Sequence, residues 1–173
     1  MLIRRLTPAD AARFQELRLQ GLRESPTAFS SSFEEECDRP LEVVAGRIAP
    51  DAGRAVFGAF EGDALVGQIG VGIDGGRKLA HKRIIWGMYV APGYRGRGIG
   101  RRLVQQALEF AASIPGVSQV TLGVNAANAA ARRLYESAGF EAFGIEPAAI
   151  LVDGKLHDEM WMIRRLDGRG DER

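Results

Sequence analysis

Apolar and polar positions change period several times along the chain, and each change marks an element. Leu2-Ile3-Arg4-Arg5-Leu6 predicts a short first strand. Thr7-Pro8-Ala9-Asp10 then opens a helix. Thr7 suits the cap, Pro8 fits the first turn, and Asp10 complements the positive helix end. Ala11, Phe14, Leu17 and Gly21-Leu22 fall on one face, which carries this helix to Glu24, where Ser25-Pro26 breaks it. Asp38-Arg39-Pro40 opens a second helix through about Ile48, with Pro50 beyond its end. Three strands follow, over 54–61, 64–74 and 80–90, separated by Gly62-Asp63 and Gly75-Gly76. From Gly98 to Ile114 the period is helical, with Ile99, Leu103, Val104, Ala107, Leu108 and Ala111 on one face. A strand over 117–124 precedes a helix over 128–138, which Asn128 caps and Gly139 ends. Residues 140–152 read as a strand interrupted at Pro147. Asp153-Gly154 is a hairpin turn, and 156–166 closes the chain as a strand. The order β-α-α-β-β-β-α-β-α-β-β predicts an α/β protein with a sheet of mixed direction.

Length and composition narrow the classes. With 173 residues, 46% hydrophobic and 26% charged, the chain suits a single domain over 1–166, with a flexible polar tail over 167–173. One cysteine, Cys37, excludes an internal disulfide framework, and with only His81 and His157 besides, no metal site is expected. No apolar run reaches the ~18–20 residues of a membrane helix, and the N-terminal stretch turns polar too early for a signal peptide. A soluble, cytoplasmic protein without a membrane partner is the expectation.

The net charge of +1 gives no electrostatic case for nucleic acid. Its distribution is uneven. Residues 75–108 hold eight basic residues and no acid, whereas 23–51 hold seven acids against three bases. Such a division suggests partners of opposite sign.

The basic run contains the stretch richest in chemistry, Tyr94-Arg95-Gly96-Arg97-Gly98-Ile99-Gly100-Arg101-Arg102, between a strand and a helix. Glycines at alternate positions strip side chains from the backbone so that N–H groups can close on an anion. The helix start adds free donors and a positive dipole end. Arg95, Arg97, Arg101 and Arg102 add forked donors suited to phosphate oxygens. A pyrophosphate fits this chemistry. The stretch lacks the Gly-Lys-Ser/Thr of a Walker loop. Its glycine spacing also differs from the dinucleotide fingerprint, and the next strand runs into Asn125 rather than an acid.

Arg95-Gly96-Arg97-Gly98-Ile99-Gly100 resembles the Arg/Gln-x-x-Gly-x-Gly/Ala signature of the GNAT superfamily of N-acetyltransferases. Asn128 through Phe140 resembles that superfamily's second motif, Asn-x-x-Ala-x-x-Leu-Tyr-x-x-x-Gly-Phe. Asp153-Gly154-Lys155-Leu156-His157-Asp158-Glu159 is similar to a hairpin of its small bacterial members. The resemblance spans nearly the whole chain. It implies a mixed, mostly antiparallel central sheet flanked by helices, with acetyl-CoA as co-substrate and an amine as acceptor. It also implies that Arg95, Gly96, Arg97, Gly98, Ile99, Gly100 and Arg101 hold the CoA pyrophosphate. Met88, Tyr89 and Val90 would pair with the pantetheine arm, and a backbone N–H freed near Gly87 would face the thioester oxygen. Asn128 would contact the cofactor arm as well as cap its helix, and Tyr135 would be the general acid. The acidic segment around Glu34-Glu35-Glu36 favours a cationic acceptor. Small-molecule and protein amines stay open, as do monomer and homodimer.

The general base departs from the pattern. Many members carry a glutamate on the strand before the loop, and Ile84-Ile85-Trp86-Gly87-Met88 has none. Glu34, Glu35, Glu36, His81, His157, Asp158 or a relayed water are the substitutes. A non-catalytic acyl-CoA sensor of the same fold is the alternative to an enzyme, and Tyr135 favours the enzyme.

Overall fold

The computed structural model describes residues 1–73 and 75–166. Asp74 and the expected polar tail over 167–173 lie outside the described residues. The strands are β1 (Leu2–Arg5), β2 (Ala55–Glu61), β3 (Ala64–Gly72), β4 (Lys82–Val90), β5 (Gln119–Asn125), β6 (Glu141–Val152) and β7 (Lys155–Arg165). The helices are α1 (Ala11–Glu24), α2 (Phe33–Glu36), α3 (Leu41–Ile48), α4 (Ile99–Ser113) and α5 (Ala129–Ser137). The strands form one seven-stranded sheet in the order β1-β2-β3-β4-β5-β7-β6. Every neighbouring pair is antiparallel except β4 and β5. The mixed, mostly antiparallel α/β architecture is as expected.

Helices cover both faces. Ile99, Leu103, Val104, Ala107 and Ala111 of α4 are buried against the sheet. On the other face Phe14, Leu17 and Leu22 of α1 and Val44 and Ile48 of α3 pack on Val56, Phe60, Leu65 and Tyr89. Burying each of the larger side chains stabilises the fold by roughly 1.5–3 kcal/mol, so these two stripes fix where α1 and α4 lie.

One local feature differs from the expectations. A short helix, α2, precedes α3. Its cause is a capping box at Ser32: the hydroxyl accepts from the Glu35 N–H at 3.2 Å, and the Glu35 carboxylate accepts from the Ser32 N–H at 2.7 Å. The expected interruption at Pro147 is present as a break in the ladder within one continuous strand, β6. The pairing with β7 shifts between Glu146 and Ile150, and the Ala148 N–H donates to Asp158 Oδ1 at 2.8 Å instead of to the ladder. An edge strand tolerates a missing proline donor at such a bulge. The Asp153-Gly154 turn stands as expected, with both residues at positive φ.

Candidate active site

The parallel pairing of β4 and β5 covers only Lys82–Ile84 against Gln119–Thr121. Beyond it the strands diverge. A cavity of about 450 Å³ opens between them, lined by Ile85 to Val90 of β4 and Leu122 to Asn125 of β5. On the β3 side of β4, Gln68 pairs with Tyr89 and Gly70 with Trp86, so Ile69 faces both Gly87 and Met88. This bulge takes one residue of β4 out of the ladder at the level of the split. Gly87 sits at φ +63°, which a side chain would strain.

The glycine-rich loop closes one end of the cavity. After a tight turn over Pro92–Tyr94, Gly96 and Gly98 take φ of 75° and 74°, and Gly98 caps α4. Gly96, Gly98, Ile99, Gly100 and Arg101 line the cavity, so the unpaired N–H groups of the first turn of α4 stand at its wall. The arginines divide. Arg101 is at the wall, whereas Arg97 lies over the Tyr94 ring at 5.2 Å and is not among the lining residues. The Arg95 guanidinium makes two 2.9 Å bonds to Glu24 and donates to the Val90 carbonyl at 2.8 Å. Glu24 also accepts from the Tyr89 hydroxyl. This network ties the end of α1 to β4 and the loop. Burial, reinforced by Glu24, pushes the Tyr89 phenol well above its ordinary pKa. The basic run is not one patch: Arg77 and Lys78 precede β4 and the loop follows it, about 30 Å apart at 3.3 Å per strand residue.

At the other wall stand Asn128, Ala131, Leu134 and Tyr135, from the α5 motif. The Asn128 side chain accepts from the Ala131 N–H at 3.0 Å and so caps α5. Tyr135 is 6% exposed and packs edge-on against Phe140 at 5.8 Å. Burial pushes its phenol above the ordinary value, so at neutral pH it stays a proton donor. Met88, Tyr89, Val90, Arg95, Gly96, Gly98, Ile99, Gly100, Arg101, Asn128 and Tyr135 thus meet around one cavity. Sequence reasoning missed Trp86, Gly123 and Asn125. Only Asn125 carries a local signal, an Asx turn in which its Oδ1 accepts from the Ala127 N–H at 2.9 Å; its amide also donates to the Thr27 carbonyl at 3.2 Å.

The acidic segment is partly internal. Glu36 is buried, with 3.0 and 3.2 Å bonds to Arg18, 3.3 Å bonds to Arg47, and Arg39 at 4.0 Å. Burial alone would raise its pKa, but the Arg18 hydrogen bond and charge, with Arg47, hold it at about 2. Glu36 is therefore a paired anion, while Glu34 and Glu35 stay on the surface. Arg18 reaches the site: its Nη1 lies 3.3 Å from where a Cβ on Gly87 would stand. His81 is exposed just before β4, at the end remote from the loop. Asp158 is engaged with Ala148, and His157 pairs with Ile150 on the hairpin. No three His, Cys, Asp or Glu side chains among the described residues are grouped to hold a metal, and no helix among them is long and apolar enough to cross a membrane.

The geometry can be set beside known proteins. The model of the acetyltransferase (GNAT) family matches residues 19–140. The chain is 34% identical over 163 residues to the N-alpha-acetyltransferase RimI of Mycobacterium tuberculosis, covering 94% of this chain and 90% of that protein. It is 31% identical over 170 residues to an uncharacterized Mycobacterium leprae protein, of whose length it spans 40%. Among solved structures, yncA of Salmonella typhimurium, described with its cofactor acetyl-CoA, superposes with a TM-score of 0.82 at 22% identity, covering 100% of this chain and 98% of that one. The chain belongs to the GNAT acetyltransferase family, whose co-substrate is acetyl-CoA.

Proposed function

We propose that this chain transfers the acetyl group of acetyl-CoA to an amine, by direct attack within a ternary complex. The observation that carries the reading is one cavity whose lining joins an anion cradle, the Gly87 bulge and a buried tyrosine. A long ligand with a pyrophosphate at one end fits this arrangement. The backbone of Gly96 to Arg101 holds the phosphates, and Met88 to Val90 offers a strand edge to the arm beyond them. When bound, acetyl-CoA supplies an activated acyl group with a thiol leaving group.

The protein's own residues do the rest. The backbone N–H freed at the bulge donates to the oxygen on which charge develops, a contribution of about 3–4 kcal/mol in well-built sites. Tyr135, kept neutral by burial, gives its proton to the departing sulfur. A thiolate with pKa near ~8.5 is already a fair leaving group, so the gain from Tyr135 lies near the low end of ~10²–10⁴-fold. No nucleophile–base pair among the described residues is placed for a covalent intermediate, so the amine itself attacks, and its electron pair must be free at the moment of attack. A groove of about 540 Å³ between the α1–α2 segment and the β6–β7 hairpin, lined by Phe29, Ser31, Phe33, Ile150 and Val152 among others, is the acceptor's approach. The name of the Mycobacterium tuberculosis relative puts protein α-amines among the acceptor classes to try first.

The test is thiol release from acetyl-CoA with a panel of peptides bearing free N-termini, lysine and polyamines, read with mass analysis of the amine product. Amine-dependent thiol release with an acetylated product is expected. Tight acetyl-CoA binding with no transfer to any amine would instead indicate a sensor.

A further inference from the structure

Strand β4 supplies no carboxylate from Lys82 to Val90. In the α2 segment Glu36 is paired with arginines, and Glu34 lines the outer groove of the acceptor's approach but not the cavity at the split. One carboxyl group does stand at the level of the bulge, and it comes from β7. Glu159 pairs with Asn125 of β5 and with Glu146 of β6. Directly paired residues share a face of the sheet. Glu159 therefore lies on the face where Asn125 reaches Thr27 of the α1–α2 segment, which is the acceptor side.

Its position depends on Gly123. A Cβ built on Gly123 would lie 2.5 Å from Cδ of Glu159 and 2.7 and 2.9 Å from its two oxygens. The Glu159 carboxyl thus occupies the space of the side chain that Gly123 lacks, directly over β5. Gly123 itself lines the cavity. Ile84 pairs with Thr121, so two residues further along the parallel register Trp86 is level with Gly123, and Gly87 is the next residue of β4. The carboxyl hence lies over β5, beside a residue that lines the cavity, at the height of the bulge. Opposite it, Glu146 is held by the Trp161 Nε1–H at 3.2 Å.

We infer that Glu159 is the catalytic proton acceptor of the transfer, seated by Gly123 and backed by Glu146; this rests on the amine-acetylation reading above. The acceptor's ammonium gives one proton to the Glu159 carboxylate. The freed electron pair forms the C–N bond and the C–S bond breaks. The sulfur takes the Tyr135 proton, the new amide nitrogen returns its surplus proton to Tyr135, and Glu159 releases its own to solvent.

The electrostatics suit the role. Burial, and then the Glu146 charge, hold the Glu159 pKa above the ordinary carboxylate range, toward the working pH of a base. Gly123 and Asn125 on β5 and the turn Pro26–Ala28 packed on β5 and β6 bring no charge; the charged and titratable groups of that face include Glu146 on β6, His157 and Arg165 along β7, and Arg18 of α1, which is paired with Glu36 and lies beside Gly87. No salt bridge to Glu159 occurs among the described residues.

Two variants test this, Glu159→Gln and Glu146→Gln, with spermidine and an alanine-initiated tetrapeptide as acceptor probes. Glu159→Gln should lower kcat at neutral pH by about 30-fold or more and abolish the acidic limb of the kcat/KM profile, within the usual range for losing a general base. Its acetyl-CoA Kd should stay within two-fold. Glu146→Gln should keep the high-pH rate and move the limb to lower pH. An unchanged pH profile in Glu159→Gln would overturn the assignment while leaving acetyl transfer intact. Independently of the amine, carbon NMR of labelled glutamate carboxyls should show one titrating above the ordinary range, absent in Glu159→Gln and shifted down in Glu146→Gln. An ordinary midpoint for that carboxyl would overturn it too. Absence of thiol release from the wild type with every amine would remove the transfer reading, and the base role with it.

Discussion

Removing the charge of Glu36 is a demanding test of how the acceptor-side wall is held. Its side chain is 1% exposed, and Arg18, at 4%, is nearly as buried. In Glu36→Gln the shape survives but Arg18 and Arg47 face each other without their anion. The magnitude follows from linkage. An unfolded glutamate titrates near ~4.3, and the folded one at about 2. A depressed folded pKa contributes stability that is present above the unfolded value and is lost as pH falls toward the folded one. A difference of roughly two units at 1.36 kcal/mol each gives about 3 kcal/mol at neutral pH. Breaking one side of a buried ion pair costs ~3–5 kcal/mol in general, which agrees. For a chain of this size that is a Tm drop of about 6–12 °C. Urea unfolding of both chains from pH 7 down to pH 3 reads it. The gap should be largest at pH 7 and narrow steadily below about pH 4.3, the unfolded value used above. Equal urea midpoints at pH 7, or a gap undiminished at pH 3, would refute the account of this cluster.

Further outcomes follow from the site. Gly98→Ala puts a side chain at φ +74° where nothing lies within 4 Å, so it should cost only ~1–2 kcal/mol of stability, yet weaken acetyl-CoA binding more than ten-fold by calorimetry; retained affinity would move the phosphate site elsewhere. Tyr135→Phe should lower turnover by ~10–100-fold with acetyl-CoA affinity within three-fold, and unchanged turnover would remove the acid role. Glu159 has a raised folded pKa, so its ionisation opposes folding as pH rises. Glu159→Gln should accordingly melt at or above the wild type at pH 8, with the advantage shrinking in acid; a variant less stable at pH 8 would contradict this.

What the sequence disclosed was local. The α4 stripe, the Gly139 stop, the Asn128 cap and the Asp153-Gly154 turn are each written in a few consecutive residues, and each stands in the structure. Contacts between distant segments were not legible. Arg95 reads as a phosphate ligand in its loop, but its guanidinium meets Glu24, 71 residues earlier. Glu36 reads as part of an acidic surface and is instead the buried centre of three arginines. Gly123 carries no local signal, and only the pairing of β5 with β7 reveals what fills the space over it. The interruption at Pro147 was legible and is present, and the edge position of β6 lets the strand resume beyond it.

The most direct measurement is calorimetric titration of the purified protein with acetyl-CoA, with ATP and NAD as controls and Gly98→Ala beside the wild type. The account predicts selective binding of acetyl-CoA, lost with the altered loop. Equal affinity for ATP or NAD, or no binding of acetyl-CoA to the folded protein, would contradict it.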